Sequence, residues 1–313
     1  MEEKILYSME SPFQQEINVK GYYFGKNEGK ERSACIVGAL RGNEYQQLYI
    51  CSKLIDVLKK IEKHGDMVGE NGILVIPSVN NMSMDFGKRF WISDDTDLNR
   101  LFPGNPSGES GSRVAYAIME TTRGYRYGIH LPSFYLGGTF MPHIRLLDPE
   151  HGSTSLANLF GLPYVIEAKS RPFDRTTLHN NWQRNGTEAF SLYTGMTGKI
   201  DDELATQAVS SILRFLTRMG IIRYYSHSGY IASVLKESDL EPIMTEAAGI
   251  FIRKAECGQE VSRGDVAQIM KADSGEIISE VTAPTDGIIF YAETRPVVYS
   301  NLLVFQIIKR IHL

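Results

Sequence analysis

The run Ala34-Cys35-Ile36-Val37 passes through Gly38-Ala39-Leu40-Arg41-Gly42-Asn43 directly into Glu44, and this junction constrains the chain more than any other stretch. Leu48, Cys51, Leu54, Ile55, Leu58 and Ile61 follow near the 3.6-residue period, which predicts an amphipathic helix over 44–63 with Gly65 as its C-terminal cap. A short apolar strand feeding such a helix is the repeating unit of α/β proteins. The polar turn between the two is where those proteins place their chemistry. Glu44 stands at the helix start, beside backbone N–H groups that have no partner within the helix.

The remaining pattern extends this unit into a large domain. Residues 15–24 alternate as an edge strand does, and Gly25 to Arg32 reads as a charged turn. Continuous apolar runs at 72–77, 127–131, 162–168 and 189–193 read as buried strands, and helical periods cover 111–122 and 202–219. Residues 78–104 are polar and irregular, and a loop of that length inside a compact domain is usually functional. From Pro242 onward the pattern changes to short strands at 249–252, 267–270, 287–291 and 302–307, separated by Gly turns. This predicts an α/β domain over 1–240 and a β-rich C-terminal module over 241–313. The Ala283-Pro284-Thr285-Asp286-Gly287 turn resembles that of biotinyl and lipoyl carriers, which suggests a barrel-sandwich. Met270-Lys271-Ala272 lacks their second Met, so the module reads as structural.

Composition excludes several classes of function. The 313 residues carry a formal net charge of −4, which leaves no electrostatic footprint for nucleic acid. No run approaches the roughly 18 apolar residues that a membrane span needs. Met1-Glu2-Glu3-Lys4 has none of the features of a signal peptide, and Cys35, Cys51 and Cys257 form no disulfide framework. These features point to the cytoplasm, with reduced thiols. The Asn-x-Ser/Thr matches at Asn81 and Asn185 then carry no glycan.

Arg89, Arg100 and Arg145 form the chemically suggestive set, with Asn99 beside Arg100. A guanidinium presents a planar pair of donors that matches a carboxylate, so the set predicts an anionic ligand. The alternative is that these arginines pair with Asp94, Asp95 and Asp97 as surface ion pairs. Gly195-Met196-Thr197-Gly198-Lys199-Ile200 is too short for a phosphate loop, and Gly108-Glu109-Ser110-Gly111-Ser112 misses the nucleophile-elbow spacing. His64, His151, His227 and His312 stand in polar or terminal contexts and are assigned no role.

Gly38 to Glu44, Lys88-Arg89-Phe90, the run Asp97-Leu98-Asn99-Arg100-Leu101-Phe102-Pro103-Gly104, His130, and Pro142-His143-Ile144-Arg145 together resemble the succinylglutamate desuccinylase/aspartoacylase family in residue type and order. The resemblance covers nearly the whole chain. It implies a zinc-carboxypeptidase-like mixed sheet flanked by helices, and hydrolysis of an amide or ester of a carboxylate-bearing small molecule. By position it implies Arg89 as the group that polarises the scissile carbonyl, and Asn99 with Arg100 as the grip on the substrate carboxylate. It also implies zinc on Glu44 and His130. The expected ligand is a small-molecule carboxylate or an acylated amino acid, and self-association into a homo-oligomer stays open.

The chain departs from the family pattern at three places. Arg41 stands where that pattern has the first zinc-ligating His, and a guanidinium has no lone pair to donate. Gly128 replaces the Asp that precedes the second His. Tyr193 falls where the catalytic Glu belongs, and a phenol with an ordinary pKa near 10 is a poor base at neutral pH. Two readings follow. A rebuilt metal site would recruit His143 or His179 beside Glu44 and His130. Alternatively, Arg41 replaces the metal's charge, and the site binds an anion without hydrolysing it.

Overall fold

The computed structural model describes residues 1–10, 14, 16–26, 32–134, 137–148 and 154–309, except the side chain of Asp265. His151, His312 and residues 27–31 of the expected charged turn lie outside the described residues. The chain divides into two compact units. The first comprises Met1–Ser133, Pro142–Tyr193 and Thr197–Val234; the second comprises Phe134–Met141, Thr194–Met196 and Leu235–Leu313.

In the first unit the chain runs β1 (Glu2–Glu10), β2 (Glu16–Gly25), β3 (Arg32–Ala39), α1 (Tyr45–Lys63), β4 (Gly72–Ser78), α2 (Asn81–Asp85), α3 (Ser110–Thr122) and β5 (Tyr127–His130). It continues through β6 (Thr139–Leu147), α4 (Thr154–Asn158), β7 (Tyr164–Ala168), α5 (Leu178–Arg184), β8 (Glu188–Gly195), α6 (Asp202–Arg218) and β9 (Ser233–Lys236). β6 begins in the second unit and enters the first at Pro142. The strand order in this unit is β1-β2-β4-β3-β5-β8-β6, with β7 beside β6 and β9 beside β7. β3 pairs in parallel with both β4 and β5, and β5 pairs in parallel with β8.

β3 shows why the central strands read as unbroken apolar runs. Its Ala34 and Ile36 pack with Ile50, Leu54 and Leu58 of α1, and with Ile212 and Phe215 of α6. Its Cys35 and Val37 join Leu74, Trp91, Val114 and Trp182 on the opposite face. A strand covered on both faces has no polar side to alternate with. Leu54 is fully buried, and its truncation to Ala is expected to cost roughly 2–5 kcal/mol.

Two expectations need correcting. Residues 16–25 are not an edge strand, because β1 pairs outside them in antiparallel register from Glu2↔Tyr23 to Glu10↔Glu16. β1 is mostly exposed and its polar–apolar pattern is irregular, so nothing in the sequence announced it. The Pro142-His143-Ile144-Arg145 segment, read only as a motif, lies within β6. The long segment after β4 is ordered by its polar side chains. Asn80 caps α2 by accepting from the Ser83 amide, and Asp97 opens a short 3-10 turn at Leu98–Arg100 by accepting from the Asn99 amide. Gly42 lets this segment approach the β3–α1 junction: its N–H donates to the Arg89 carbonyl at 3.1 Å, and a Cβ there would lie 2.3 Å from the Lys88 carbonyl oxygen.

The second unit contains β10 (Leu240–Met244), β11 (Gly249–Arg253), β12 (Glu260–Val261), β13 (Gly264–Met270), β14 (Ile277–Ala283), β15 (Gly287–Ala292), β16 (Val297–Val298) and β17 (Leu303–Lys309). β15, β17 and β10 pair antiparallel, with β12 on β15, and a separate antiparallel sheet has the order β14-β13-β11-β16. Phe251, Val266, Ile269, Ile289, Val304 and Phe305 share one core within this unit. Among the described residues no helix is long and apolar enough to cross a membrane.

Candidate functional site

Glu44 closes the β3–α1 junction and is fully buried. Its side chain folds back over the turn, so that Oε2 accepts from the Leu40 amide at 2.8 Å and the Arg41 amide at 2.9 Å. Oε1 accepts from the Ser133 amide at 3.1 Å, from the Ser133 hydroxyl, and from Arg41 Nη1 at 3.2 Å. A carboxylate offers about four lone-pair sites, so these five donors saturate it.

Arg41 is 4% exposed and binds acid on both sides. Its Nε and Nη2 donate to the two carboxylate oxygens of Asp97 at 3.0 and 2.8 Å, and its Nη1 donates to Glu44 and to the Ser133 carbonyl at 3.2 Å. Burial opposes the charge on this guanidinium, but Glu44 and Asp97 outweigh burial and raise its pKa above the ordinary value. Arg41 is thus a buried cation with matched partners, the condition under which such a charge persists in a protein interior.

Two imidazoles stand nearby with unpartnered nitrogens. Nε2 of His130 and Nε2 of His179 are buried and have no hydrogen-bond partner among the described residues. Burial, then the charge of Arg41, then His179, holds His130 well below the usual histidine value, so it is neutral. His179 is pushed down to about 3 by burial and by Arg145, against a smaller opposing effect of Asp148. Its Nδ1 lies 2.8 Å from the Ser191 hydroxyl, and Ser191 stands opposite His130 in the β5–β8 register. His143 is stacked on Tyr193, with ring centroids 5.0 Å apart and planes 6° from parallel.

The three arginines take different contacts, although the charge of Arg100 also acts on Arg89. Arg89 is half-buried, with Nη1 3.4 Å from the Ser133 hydroxyl; burial and the charge of Arg41 pull its pKa below the ordinary value. Arg145 lies close enough to His179 to act on its protonation. Arg100 turns elsewhere: its Nη1 donates to the Phe173 carbonyl at 2.8 Å, lies 3.7 Å from Asp174 Oδ1, and its guanidinium carbon is 4.9 Å from the Phe173 ring centroid. Asn99 is committed as well, since its Oδ1 accepts from the Leu178 amide at 3.1 Å.

The alternative of surface ion pairs with Asp94, Asp95 and Asp97 is not what these contacts form. Asp97 pairs with Arg41, while Asp94 accepts from the amide and hydroxyl of Thr96. Sequence reasoning missed Ser133, Asp174 and Ser191, which carry no motif. It placed Asp97 in the run that reaches the site but did not foresee Arg41 as its partner.

The donor set does not suit zinc. Glu44 has no lone pair left, Arg41 offers none, and His143 is stacked on Tyr193. Among the described residues no group of three or more His, Cys, Asp or Glu side chains is arranged to hold a metal ion. The residues do not fit a catalytic zinc, although the family is generally zinc-dependent.

The model of the succinylglutamate desuccinylase/aspartoacylase catalytic domain matches residues 30–219. Over 87 residues the chain is 28% identical to an N-alpha-acetyl-L-2,4-diaminobutyric acid deacetylase from Halomonas elongata, a match covering 28% of this chain and 24% of that protein. It therefore spans only about a quarter of that relative's length. Among solved structures, a succinylglutamate desuccinylase/aspartoacylase from Rhodobacter sphaeroides aligns with a TM-score of 0.79 at 18% identity, covering 99% of this chain and 96% of that one. The product-bound ectoine utilization protein EutE (DoeB) from Ruegeria pomeroyi aligns with a TM-score of 0.79 at 17% identity, covering 96% and 92%. At these identities the structural likeness shows the fold: a large mixed sheet flanked by helices, followed by a small antiparallel module.

Proposed function

Since the chain belongs to the succinylglutamate desuccinylase/aspartoacylase family, a family of deacylases, we propose that it retains the family's ligand class and not its zinc chemistry. The ligand is a small carboxylate-bearing molecule, such as an acylated amino acid. The observation that carries this reading is the closure of Arg41 onto Glu44 and Asp97, which puts a fixed positive charge where the family pattern places a metal ligand.

Each group then has a role in binding. Arg41, Glu44 and Asp97 sum to one negative charge, and Arg89 and Arg145 add two positive ones, so the site as a whole favours a monoanion. Arg89 reaches the ligand from beside Ser133, and Arg145 approaches from the His179 side. His130 and His179 are neutral imidazoles with a nitrogen each to offer a carbonyl or amide of the acyl group. Arg100 and Asn99 act one step back, by holding the Phe173–Leu178 segment in place.

Thermal shifts against a panel of N-acyl amino acids test the reading. A ligand at a hundred times its Kd stabilises the fold by about 2.7 kcal/mol. The expected result is a shift in the wild type that shrinks in Arg89→Ala and is insensitive to chelator. Zinc-dependent hydrolysis of any member of the panel by chelator-sensitive protein overturns it.

A further inference from the structure

Past α6 and Ile222 the chain crosses the surface of the first unit as an irregular strap, residues 223–232, before β9 begins at Ser233. The strap is pinned from its first residue to its last. Its Arg223 and Tyr230 amides donate to the carbonyls of Asp66 at 2.8 Å and Gly161 at 3.0 Å. The Ala232 amide donates to Asn158 Oδ1 at 3.0 Å, and the Ser233 amide to the Pro163 carbonyl at 2.9 Å. Between these points the His227 and Ser228 carbonyls accept from Arg214 Nε and Arg218 Nη2, both at 2.7 Å. A segment fixed in this way loses little conformational entropy when something docks on it.

The apolar side chains of the strap are left in the open. Ile231 is 97% exposed, Tyr225 91% and Tyr230 61%, and Tyr224 and Val234 beside them are exposed as well. Large apolar groups standing together on a fixed backbone mark an interaction surface.

The charge around them is of one sign. From Leu204 to Val234 the chain carries Arg214, Arg218 and Arg223 and no Asp or Glu. Residues 154–166, which supply Asn158, Gly161 and Pro163, carry no charged side chain. Asp66 is bonded to the strap through its backbone carbonyl. Arg214 and Arg218 spend donors on backbone oxygens, those of Phe160 and His227 and those of Leu159 and Ser228. Neither they nor Arg223 form an ion pair among the described residues, and Arg218 and Arg223 are exposed. Burial and the charge of Arg218 both pull the pKa of Arg214 below its ordinary value, with no carboxylate opposing them.

We propose that this strap docks on an anionic lipid surface, with Arg218 and Arg223 at the phosphates and Tyr225, Tyr230 and Ile231 among the upper acyl chains. Unneutralised cations beside projecting apolar side chains are the elements of such peripheral contact, which needs no spanning segment. Tyrosine suits the boundary, because its ring is apolar and its hydroxyl can stay wet. A second copy of the chain is a poorer occupant of this face. A two-fold contact there would set Arg218 and Arg223 against their own equivalents, with no acid between them. The strap shares no residue with the Arg41 network, so the proposal holds whatever that network binds.

Co-sedimentation of the whole protein with vesicles tests it. One set of vesicles is pure phosphatidylcholine, and the other holds equal parts of phosphatidylcholine and phosphatidylglycerol. Wild type is expected to bind the anionic set, to come off as salt rises, and to ignore the neutral set. Arg223→Ala is expected to weaken binding about fivefold, and Tyr225→Ala/Ile231→Ala about tenfold or more. These side chains are exposed, so the variants keep the fold. Arg184→Ala, an exposed arginine on α5, is expected to bind as wild type does. The proposal is overturned if wild type binds neither set, if it binds both equally, or if the strap variants bind as tightly as wild type. It is also overturned if the strap variants abolish self-association in sedimentation velocity and leave vesicle binding intact. Binding to poly-L-glutamate in place of the anionic vesicles, lost in the same variants, would make the partner an acidic protein and overturn it too.

Discussion

A β-carbon on Gly128 would lie 2.5 Å from Cε3 of Trp182, so the indole occupies the space that any side chain at position 128 would need. Trp182 is fully buried, and its Nε1 donates to the Thr122 hydroxyl at 2.9 Å. The family pattern has an aspartate at this position. Here the aspartate is gone and an aromatic ring from α5 packs against the bare backbone. The other two departures are likewise accommodated by neighbours: Arg41 by Asp97, and Tyr193 by the His143 ring.

Restoring the aspartate is therefore expected to harm the protein. Gly128→Asp must displace Trp182 and bury an unpaired carboxylate, at a cost of about 3 kcal/mol or more. Urea unfolding measures it. Gly128→Asp combined with Trp182→Ala should cost less than the sum of the two singles, because the clash is removed.

Glu44→Ala leaves Asp97 as the one acidic partner of Arg41 and leaves both Ser133 donors without an acceptor. Removal of one partner from a buried ion pair costs roughly 3–5 kcal/mol. Denaturant midpoints are expected to fall accordingly, and a loss under about 1 kcal/mol would show that the network is weaker than its burial implies.

Replacing Arg41 by His reopens the metal question in one step. Arg41→His removes one of the five donors to Glu44 and supplies an imidazole, and a turn of the Ser133 hydroxyl away from Glu44 then lets residues 41, 44 and 130 offer three ligands with an open fourth position. Metal analysis after dialysis against zinc should find about one equivalent in the variant and less than about a tenth in the wild type. Equal uptake by both proteins would contradict the assignment of Arg41.

The neutral histidines make stability depend on pH. His179 titrates at about 3 when folded and near 6.5 when unfolded, and His130 is displaced in the same direction. Below about pH 6.5 the unfolded chain binds protons that the folded chain refuses, so stability is full at pH 7 and above and is lost as the pH falls toward about 3. The slope per group approaches about 1.4 kcal/mol per pH unit. Urea titrations at pH 7, 6 and 5 should show it, and His179→Gln should flatten the dependence.

The sequence made the elements around the site legible because their signals are local. The helix expected over 44–63 is found at Tyr45–Lys63, and the helix expected over 111–122 at Ser110–Thr122. Both are set by apolar period, which the sequence displays directly. β1 was missed because its pattern is irregular and it gains its place only by pairing with β2. The site network was missed for a different reason. Arg41 meets Asp97 across 56 residues and Glu44 meets Ser133 across 89, and a serine or aspartate in a loop gives no sign of such a partner. What was readable was the incompatibility of Arg41 with zinc, since that depends on the guanidinium and not on distance.

Arg41 ties together three stretches that are far apart in the chain: its own turn at Glu44, the segment at Asp97, and the residue after β5 at Ser133. A metal ion joining the same stretches would have to be captured, and it would leave again on dilution or in competition with other binders. A side chain is delivered by the ribosome at a ratio of one per molecule. In the metal-free reading proposed above, the centre is complete at the moment folding ends, whatever the supply of trace elements in its surroundings. Its persistence is set by the unfolding rate of the chain alone.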